Sequence, residues 1–266
     1  MSESRCNVLG ILVDGSDCHS AVSSILHAAR TKTPMAVSAL AVHGLMLGVL
    51  DPEQRYRLNR FDLLLPDGQP VRWVLRWVHR VNLNDRVCGR DLMTATCAAA
   101  ARQRVPVYFY GTTPEILAAL RDALRKKFPD LLIVGMEPSK FRTLSPDEQH
   151  ELIHRVHASG AGLLFVGLGC PRQETFAFEF RQSLSMPILA VGAAFPFLAG
   201  ITPEAPQWMQ TVGLEWLYRL GCEPRRLWRR YLYLNPAYVF LVLVQMLGLR
   251  RFPTEGHPPT MNLLPG

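Results

Sequence analysis

The chain has 266 residues, which is enough for one large domain with a sizeable core. Apolar residues make up 48% of it, and Lys and Arg outnumber Asp and Glu by 29 to 22, a net charge of +7. This composition excludes a largely disordered chain and a small scaffold held by disulfides. The six cysteines form no CxxC pair, which indicates reduced thiols and neither a zinc site nor a disulfide framework.

The amino-terminal segment indicates a cytoplasmic protein. Its apolar run, Val8 to Val13, is too short for the core of a signal peptide, and no small-residue cleavage site follows it.

Short apolar runs alternate with helical patterns up to residue 194. Most of the runs are too apolar to have one solvated face, which is typical of strands in a parallel sheet that is covered on both sides. The order predicts a Rossmann-like α/β domain with a largely parallel sheet and helices on both faces. The predicted strands are Asn7 to Val13, Ala36 to Val42, Phe61 to Leu65, Val105 to Tyr110, Leu131 to Gly135, Leu163 to Leu168 and Ile188 to Ala193.

Two of the predicted helices have clear start signals. Thr113, followed by proline, is the expected N-cap of a helix over Glu115 to Lys127. Ser145 to Glu148 has the S-x-x-E spacing of a capping box, and the helix behind it should end near Ser159-Gly160.

The pattern changes after Gly200, where an aromatic and arginine-rich stretch replaces the strands. Five arginines between Arg219 and Arg230 stand against a single Glu223, which indicates an anionic partner. Ala237 to Leu249 is nearly all apolar, but its roughly 13 residues are too few for a membrane span of about 20. We interpret it as an interfacial helix on an anionic membrane surface, with a core helix flanked by surface arginines as the alternative.

These patterns divide the chain into a Rossmann-like domain (1–201), a helical basic appendage suited to membrane docking (202–251), and a disordered tail (252–266). A nucleic-acid partner is not expected, because the basic cluster lies in an apolar, tryptophan-rich context. A homo-oligomer is compatible with the sequence.

Three loops should lie at the carboxyl ends of the strands, where open α/β sheets bind their ligands. Gly111-Thr112-Thr113 opens a helix, so its backbone N–H groups are either a phosphate site or an ordinary capped turn. The loop Gly167 to Glu174 combines glycines that permit close backbone approach with Arg172, Gln173 and Glu174 at a helix start.

The third loop, Pro66 to Gln69, contains Asp67 directly after a predicted strand. Asp67 is either part of an Asp-Gly turn or a general base that deprotonates an incoming hydroxyl. His43 ends another predicted strand and is a candidate for the same cleft, against the plainer interpretation of a structural histidine.

Six strings occur in order: LLLPDGQPVRW, DRVCGRDLM, VYFYGTT, FVGLGCPRQE, ILAVGAAF and GLEWLYRLGCEPRRLWRRY. Together they resemble the WecG/TagA/CpsF glycosyltransferase family over roughly Asn7 to Leu249. The resemblance implies an inverting, metal-independent transfer of a sugar from a UDP-sugar to a polyprenyl-diphosphate-linked acceptor in cell-surface polysaccharide biosynthesis, without a cofactor. UDP-N-acetylmannosamine is the best-known donor of the family, and UDP-glucose, UDP-galactose and UDP-glucuronate remain open.

The resemblance also implies roles for single residues. Asp67 maps onto the proposed base, while Arg86, Asp91 and Gln173 match the other motif positions. The appendage is expected to contribute to the active site and to dock the enzyme peripherally on the inner face of the cell membrane. The predicted substrate-binding residues are Ser38, His43, Gln69, Arg86, Asp91, Gly111, Thr112, Gly169, Arg172, Gln173, Glu174, Arg225, Arg226 and Arg229.

The chain contains no DxD metal motif, and arginines are expected to offset the charge on the UDP leaving group. It departs from the family pattern at two positions. Leu40 stands where many members have the Asn of a T-x-N string, and His43 is the candidate to compensate for that donor contact. Pro196 stands where an Asp on the nucleotide side is usual.

Two other classes of protein are open to a chain of this pattern. A nicotinamide-dependent oxidoreductase would suit the Rossmann-like order, but the first predicted strand is followed by Asp14-Gly15-Ser16-Asp17 and not by G-x-G-x-x-G. A non-catalytic scaffold at the membrane surface would use only the arginine-rich appendage.

Overall fold

The computed structural model describes residues 5–83 and 87–260, apart from the side chains of Arg226 and Arg230. It is an α/β fold with a six-stranded parallel sheet and a separate two-stranded hairpin. The strands are β1 Arg5–Val8, β2 Ile11–Asp14, β3 Met35–Leu40, β4 Leu63–Pro66, β5 Val107–Gly111, β6 Ile133–Glu137, β7 Leu163–Gly167 and β8 Pro187–Ala190. The helices are α1 Cys18–Thr31, α2 Val42–Leu50, α3 Pro52–Leu58, α4 Gln69–Trp77, α5 Gly89–Gln103, α6 Pro114–Lys127, α7 Pro146–Ala158, α8 Arg172–Leu184, α9 Ala194–Leu198, α10 Gln207–Thr211, α11 Glu215–Cys222 and α12 Pro224–Met246.

The sheet has the order β4-β3-β8-β7-β5-β6, and every neighbouring pair is parallel. The predicted Rossmann-like fold class is therefore confirmed. Because the strands are parallel, the loops that follow β3, β4, β5, β7 and β8 all leave from one edge of the sheet, which we call the carboxyl edge.

The first predicted strand is wrong. The run Asn7 to Val13 is not a strand of the parallel sheet but two antiparallel strands, β1 and β2, joined at Leu9 and Gly10. Both joining residues have positive φ, 55° and 90°, the backbone of a tight hairpin turn. The run looks continuous in the sequence because Leu9 is itself apolar and 1% exposed.

Two apolar layers cover the two faces of the sheet. Side chains of α1, α5 and α6 pack on one face together with the alternate strand residues Val37 and Phe165. Side chains of α2, α4, α8 and the hairpin pack on the other face with Ala36 and Leu164. This alternation of neighbouring strand residues is why the strands read as continuous apolar runs in the sequence.

Both predicted helix starts are confirmed. Thr113 accepts a hydrogen bond from the N–H of Ile116 at the start of α6. Ser145 and Glu148 form the reciprocal capping box of α7, which ends at Ala158.

The appendage is helical, as predicted, but the second half of α12 belongs to the hydrophobic core. Tyr238 and Val242 are buried in the same layer as the hairpin. Gln245 accepts a hydrogen bond from the N–H of Leu9 and donates one to the carbonyl of Asn7. The core-helix interpretation therefore holds for this face of α12, while its other face is exposed. In the part of the chain that the structure describes, no helix is long and apolar enough to cross a membrane.

The first residues of the predicted disordered tail have neither helix nor strand, but they make defined contacts. The carbonyl of Thr254 accepts a hydrogen bond from Asn59, and the N–H of His257 donates to the carbonyl of Pro52. The rest of that predicted tail, 261–266, lies outside the described residues.

Candidate active site

Asp67 stands at the carboxyl edge, at the end of β4. Pro66 pairs with Leu40 of β3, and the N–H of Asp67 extends the ladder by donating to the carbonyl of Leu40 (3.1 Å). Gly68 then turns the chain at φ 81°, and α4 begins at Gln69. The turn that the sequence indicates is thus present, and it holds a half-buried carboxylate beside the first helical turn of α4.

A buried polar network lies next to this loop, where α8 meets β3. Ser38 Oγ donates to Glu174 Oε1 (3.1 Å), and the side-chain amide of Gln173 donates to the same oxygen (2.9 Å). Ser38 is inaccessible to solvent, and Glu174 is 1% exposed. Glu174 therefore holds Gln173 and β3 in register, and it does not present its carboxyl group at the surface.

Burial raises the pKa of Glu174, and this effect outweighs the hydrogen bonds from Gln173 and Ser38, which lower it. Because the carboxyl group keeps its proton to higher pH, the site avoids the cost of burying a negative charge.

Gly192, in the loop after β8, packs against the same amide. A Cβ atom built at Gly192 would lie 2.5 Å from Gln173 Oε1. That oxygen is buried and has no hydrogen-bond partner among the described residues. Because a buried carbonyl oxygen is costly to leave unpaired, Gln173 is suited to accept a hydrogen bond from a ligand.

The loop Gly111 to Thr113 follows β5 at the same edge. Gly111 has φ 120°, and a Cβ there would lie 2.7 Å from the carbonyl of Gly167, so only glycine fits this close approach of two strand ends. Thr112 is half-buried with φ 56°. β5 lies four positions from β4 in the sheet, so this loop is about 19 Å from Asp67.

The appendage packs directly beside Asp67. Gln69 donates from its side-chain amide to the carbonyl of Thr211 (3.3 Å). Gly213, between α10 and α11, approaches the same residue: a Cβ built at Gly213 would lie 3.1 Å from Gln69 Cβ. The α10 to α11 segment therefore lies against the start of α4, next to the Asp67 loop.

Arg90, which the sequence analysis missed, joins the appendage to the sheet. From the first turn of α5 its Nη1 pairs with Glu204 (2.6 Å), and its Nη2 donates to Gln210 (3.4 Å). Its Nε contacts Asp91 (3.2 Å), so Asp91 orients this arginine. In the sequence this arginine stands in the GRD string, Gly89 to Asp91, directly before the aspartate that matches the family motif.

The remaining predicted site residues are spread around this edge and its rim. His43 is half-buried in the first turn of α2, directly after β3. Gly169 and Arg172 are exposed where α8 begins, and Arg225 and Arg229 are exposed in the first turns of α12. Arg86 and the side chain of Arg226 lie outside what the structure describes.

Pro196, the departure from the family pattern, lies on α9 under the appendage. Phe197, the next residue on α9, contacts the appendage: the guanidinium group of Arg219 on α11 lies 5.5 Å from the centre of its ring. Helix α11 of the appendage thus lies next to the position where an Asp is usual.

The chain belongs to a known class of enzymes. The sequence profile of the glycosyl transferase WecG/TagA/CpsF family matches residues 6–252. The N-acetylglucosaminyldiphosphoundecaprenol N-acetyl-beta-D-mannosaminyltransferase of Bacillus spizizenii is 31% identical over 194 residues, which cover 73% of this chain and 72% of the relative. This chain is therefore a member of the WecG/TagA/CpsF family and a glycosyltransferase.

Proposed function

We propose that this glycosyltransferase moves N-acetylmannosamine, or a related hexose, from its UDP derivative to a polyprenyl-diphosphate-linked sugar. The observation that carries the proposal is the carboxylate of Asp67 at the carboxyl edge, with the appendage packed against Gln69 beside it. The Bacillus spizizenii relative supports the acceptor class, because its name specifies a diphosphoundecaprenol-linked N-acetylglucosamine.

Asp67 acts as the general base in this scheme. It takes the proton of the acceptor hydroxyl while that oxygen forms a bond to the anomeric carbon, and the bond to UDP breaks with its electron pair leaving on the phosphate. Attack opposite the leaving group inverts the anomeric centre. The beta product in the name of the relative supports inversion, since UDP-N-acetylhexosamines carry an α linkage.

Arginines stabilise the leaving group in place of a divalent metal. UDP gains negative charge as the bond breaks. Fixed positive groups near it therefore stabilise the transition state more than the ground state, which lowers the barrier. Arg225 and Arg229 are exposed on α12, and Arg86 and Arg226 are the other candidates. Gln173 Oε1, buried and without a partner among the described residues, accepts an N–H or O–H of the donor.

The outer face of α12 supports peripheral attachment to a membrane. Phe240 is 64% exposed although its helix is packed on the core through Tyr238. Exposed apolar surface of this extent, beside arginines, is typical of interfacial helices. The exposed apolar residues, which we call the outer α12 face, are Trp228, Leu232, Val239, Phe240, Leu243 and Met246.

The donor and acceptor are tested with purified full-length protein and a panel of UDP-sugars. We expect UDP release with UDP-N-acetylmannosamine and an N-acetylglucosamine-diphosphate-lipid analogue. The release should persist in excess EDTA, and NMR of the product should show a β linkage. Release with another UDP-hexose would correct the donor, EDTA-sensitive release would contradict the role of the arginines, and an α-linked product would contradict inversion.

A further inference from the structure

Helix α4 follows the Asp67 loop directly and has two different faces. Its inner face, Val71, Val74 and Leu75, is buried against the sheet. On its outer face Trp73 and Trp77 are 37% and 65% exposed, with their rings stacked at 5.7 Å between centroids. Large aromatic side chains are rarely left in water as a pair, so this face indicates a contact surface.

The charges around the tryptophans indicate what this surface contacts. Arg76 lies between them on the helix and is exposed, as is Arg80 just past the helix end. From Gln69 to Leu83 the chain contains no acidic residue. Exposed tryptophan with arginine and no acid is the composition of surfaces that lie at the headgroup level of anionic membranes.

The α4 face is defined as Trp73, Arg76, Trp77 and Arg80, and its helix contacts the appendage at two points. A Cβ built at Gly213 would lie 3.1 Å from Cη2 of Trp73, so the α10 to α11 turn abuts this ring. The exposed side chains of Trp208 and Val212 flank that turn.

Helix α4 is also joined to α12. The hydroxyl of Tyr238 donates to the carbonyl of Pro70 in the first turn of α4 (3.2 Å). The catalytic domain therefore presents its own aromatic and basic surface on a helix that contacts two parts of the appendage.

We propose that the α4 face is a second membrane-contact element, built into the catalytic domain, that docks on anionic phospholipid together with the outer α12 face. The proposal rests on the membrane attachment under the proposed function. Because Asp67 is two residues before α4 begins, docking through α4 places the base at the headgroup level. The diphosphate of a lipid-linked acceptor lies at this level, so the surface selects an acceptor that is anchored in the bilayer.

The test uses full-length variants and vesicles of phosphatidylcholine with phosphatidylglycerol, without substrate. Arg76→Glu should weaken vesicle binding by about fivefold or more, as expected for losing a basic residue near an anionic surface. Trp77→Ala should weaken it as well. Arg125→Glu is the matched control, because it makes the same change in charge. Arg125 is exposed on α6, near the edge of the sheet formed by β6, which is opposite the edge formed by β4.

Two further readouts separate docking from other roles. Brominated phospholipid should quench the tryptophan fluorescence of wild-type protein more than that of Trp77→Phe. Trp77→Ala should lose activity on a lipid-linked acceptor in vesicles and keep it on a water-soluble analogue.

Vesicle binding by Trp77→Ala and Arg76→Glu equal to that of Arg125→Glu would overturn the proposal. So would a loss of self-association in these variants, measured by sedimentation velocity, with unchanged vesicle binding, because the face would then join two copies of the chain. Failure of the proposed function is distinguishable, since wild-type protein would then release no UDP even with the soluble analogue.

Discussion

At the scale of single residues, the proton of Glu174 links its buried hydrogen-bond network to stability. Burial raises the pKa of this carboxyl group in the folded protein above the usual value of about 4.3. A group with a raised folded-state pKa contributes stability that is fully present below its unfolded-state pKa. This stability is lost as the pH rises through the folded-state pKa.

We therefore expect wild-type protein to lose stability relative to Glu174→Gln as the pH rises from about 4.3. Urea denaturation midpoints of both proteins between pH 4.5 and 8 provide the measurement. Glu148→Gln is the opposite control, because Arg142 and Lys140 lower the pKa of Glu148, so that contribution is lost as the pH falls. Parallel curves for wild type and Glu174→Gln would show that Glu174 carries no such proton.

Gly192 keeps the amide of Gln173 in place. Gly192→Ala forces a Cβ to within 2.5 Å of Gln173 Oε1, so we expect the amide to move and the KM for the UDP-sugar to rise by about tenfold, the loss of one hydrogen bond. Gly160→Ala is the matched control, because it also has positive φ but meets no atom within 4 Å. Equal kinetic effects of the two substitutions would assign the change to backbone strain alone.

At the scale of elements, α12 has one face in the core and one in solvent. Removing residues 202–266 would take Tyr238, Val242 and Phe252 out of the core, so point variants test membrane attachment better than truncation. We expect Phe240→Ser with Leu243→Ser to fold normally and to lose vesicle binding. Tyr238→Ala should instead lower the free energy of unfolding by about 3 kcal/mol, as for other large buried side chains.

The measurements are vesicle co-sedimentation and urea denaturation of the same two variants. Unchanged vesicle binding in the Phe240 and Leu243 double variant would remove the outer α12 face from the membrane contact.

The elements differ in how far the sequence predicts them. Runs such as Leu163 to Leu168 predict β7 well, because a strand buried on both faces must be apolar throughout. The hairpin was missed because its turn residue Leu9 is apolar and packs in the core. Burial of Glu174 has no local sequence signal, since Ser38, which donates a hydrogen bond to it across the sheet, is distant in the chain. For the same reason, the pattern that places Asp67 at a strand end does not predict the contact between Gln69 and Thr211.

At the scale of the whole molecule, the appendage lies beside the carboxyl edge and carries the outer α12 face, and it contacts the helix that carries the α4 face. Arg90 links the appendage to the catalytic domain, because it joins α5 to Glu204 and Gln210 in the first part of the appendage. The same segment continues to Thr211, which contacts Gln69. A change at Arg90 should therefore alter the contact between Thr211 and Gln69, beside Asp67.

We expect Arg90→Gln to speed hydrogen exchange in residues 202–214 and to raise the KM for the UDP-sugar severalfold, with little change in thermal stability. Arg121→Gln is the control, since Arg121 forms only an exposed pair with Asp122 among the described contacts, and such pairs contribute little. Exchange rates in 202–214 that match those of the control would contradict the link between Arg90 and the appendage.

We infer that Asp67 is the general base of a UDP-sugar-dependent transfer. The most direct measurement is the turnover number for UDP release by Asp67→Asn, with saturating UDP-sugar and soluble acceptor analogue. Circular dichroism and UDP binding should match wild type, and Asp130→Asn, an exposed change of the same kind, should be fully active. We expect turnover by Asp67→Asn to fall on the order of 100-fold or more, as for removal of a general base. Turnover close to that of wild type would contradict it.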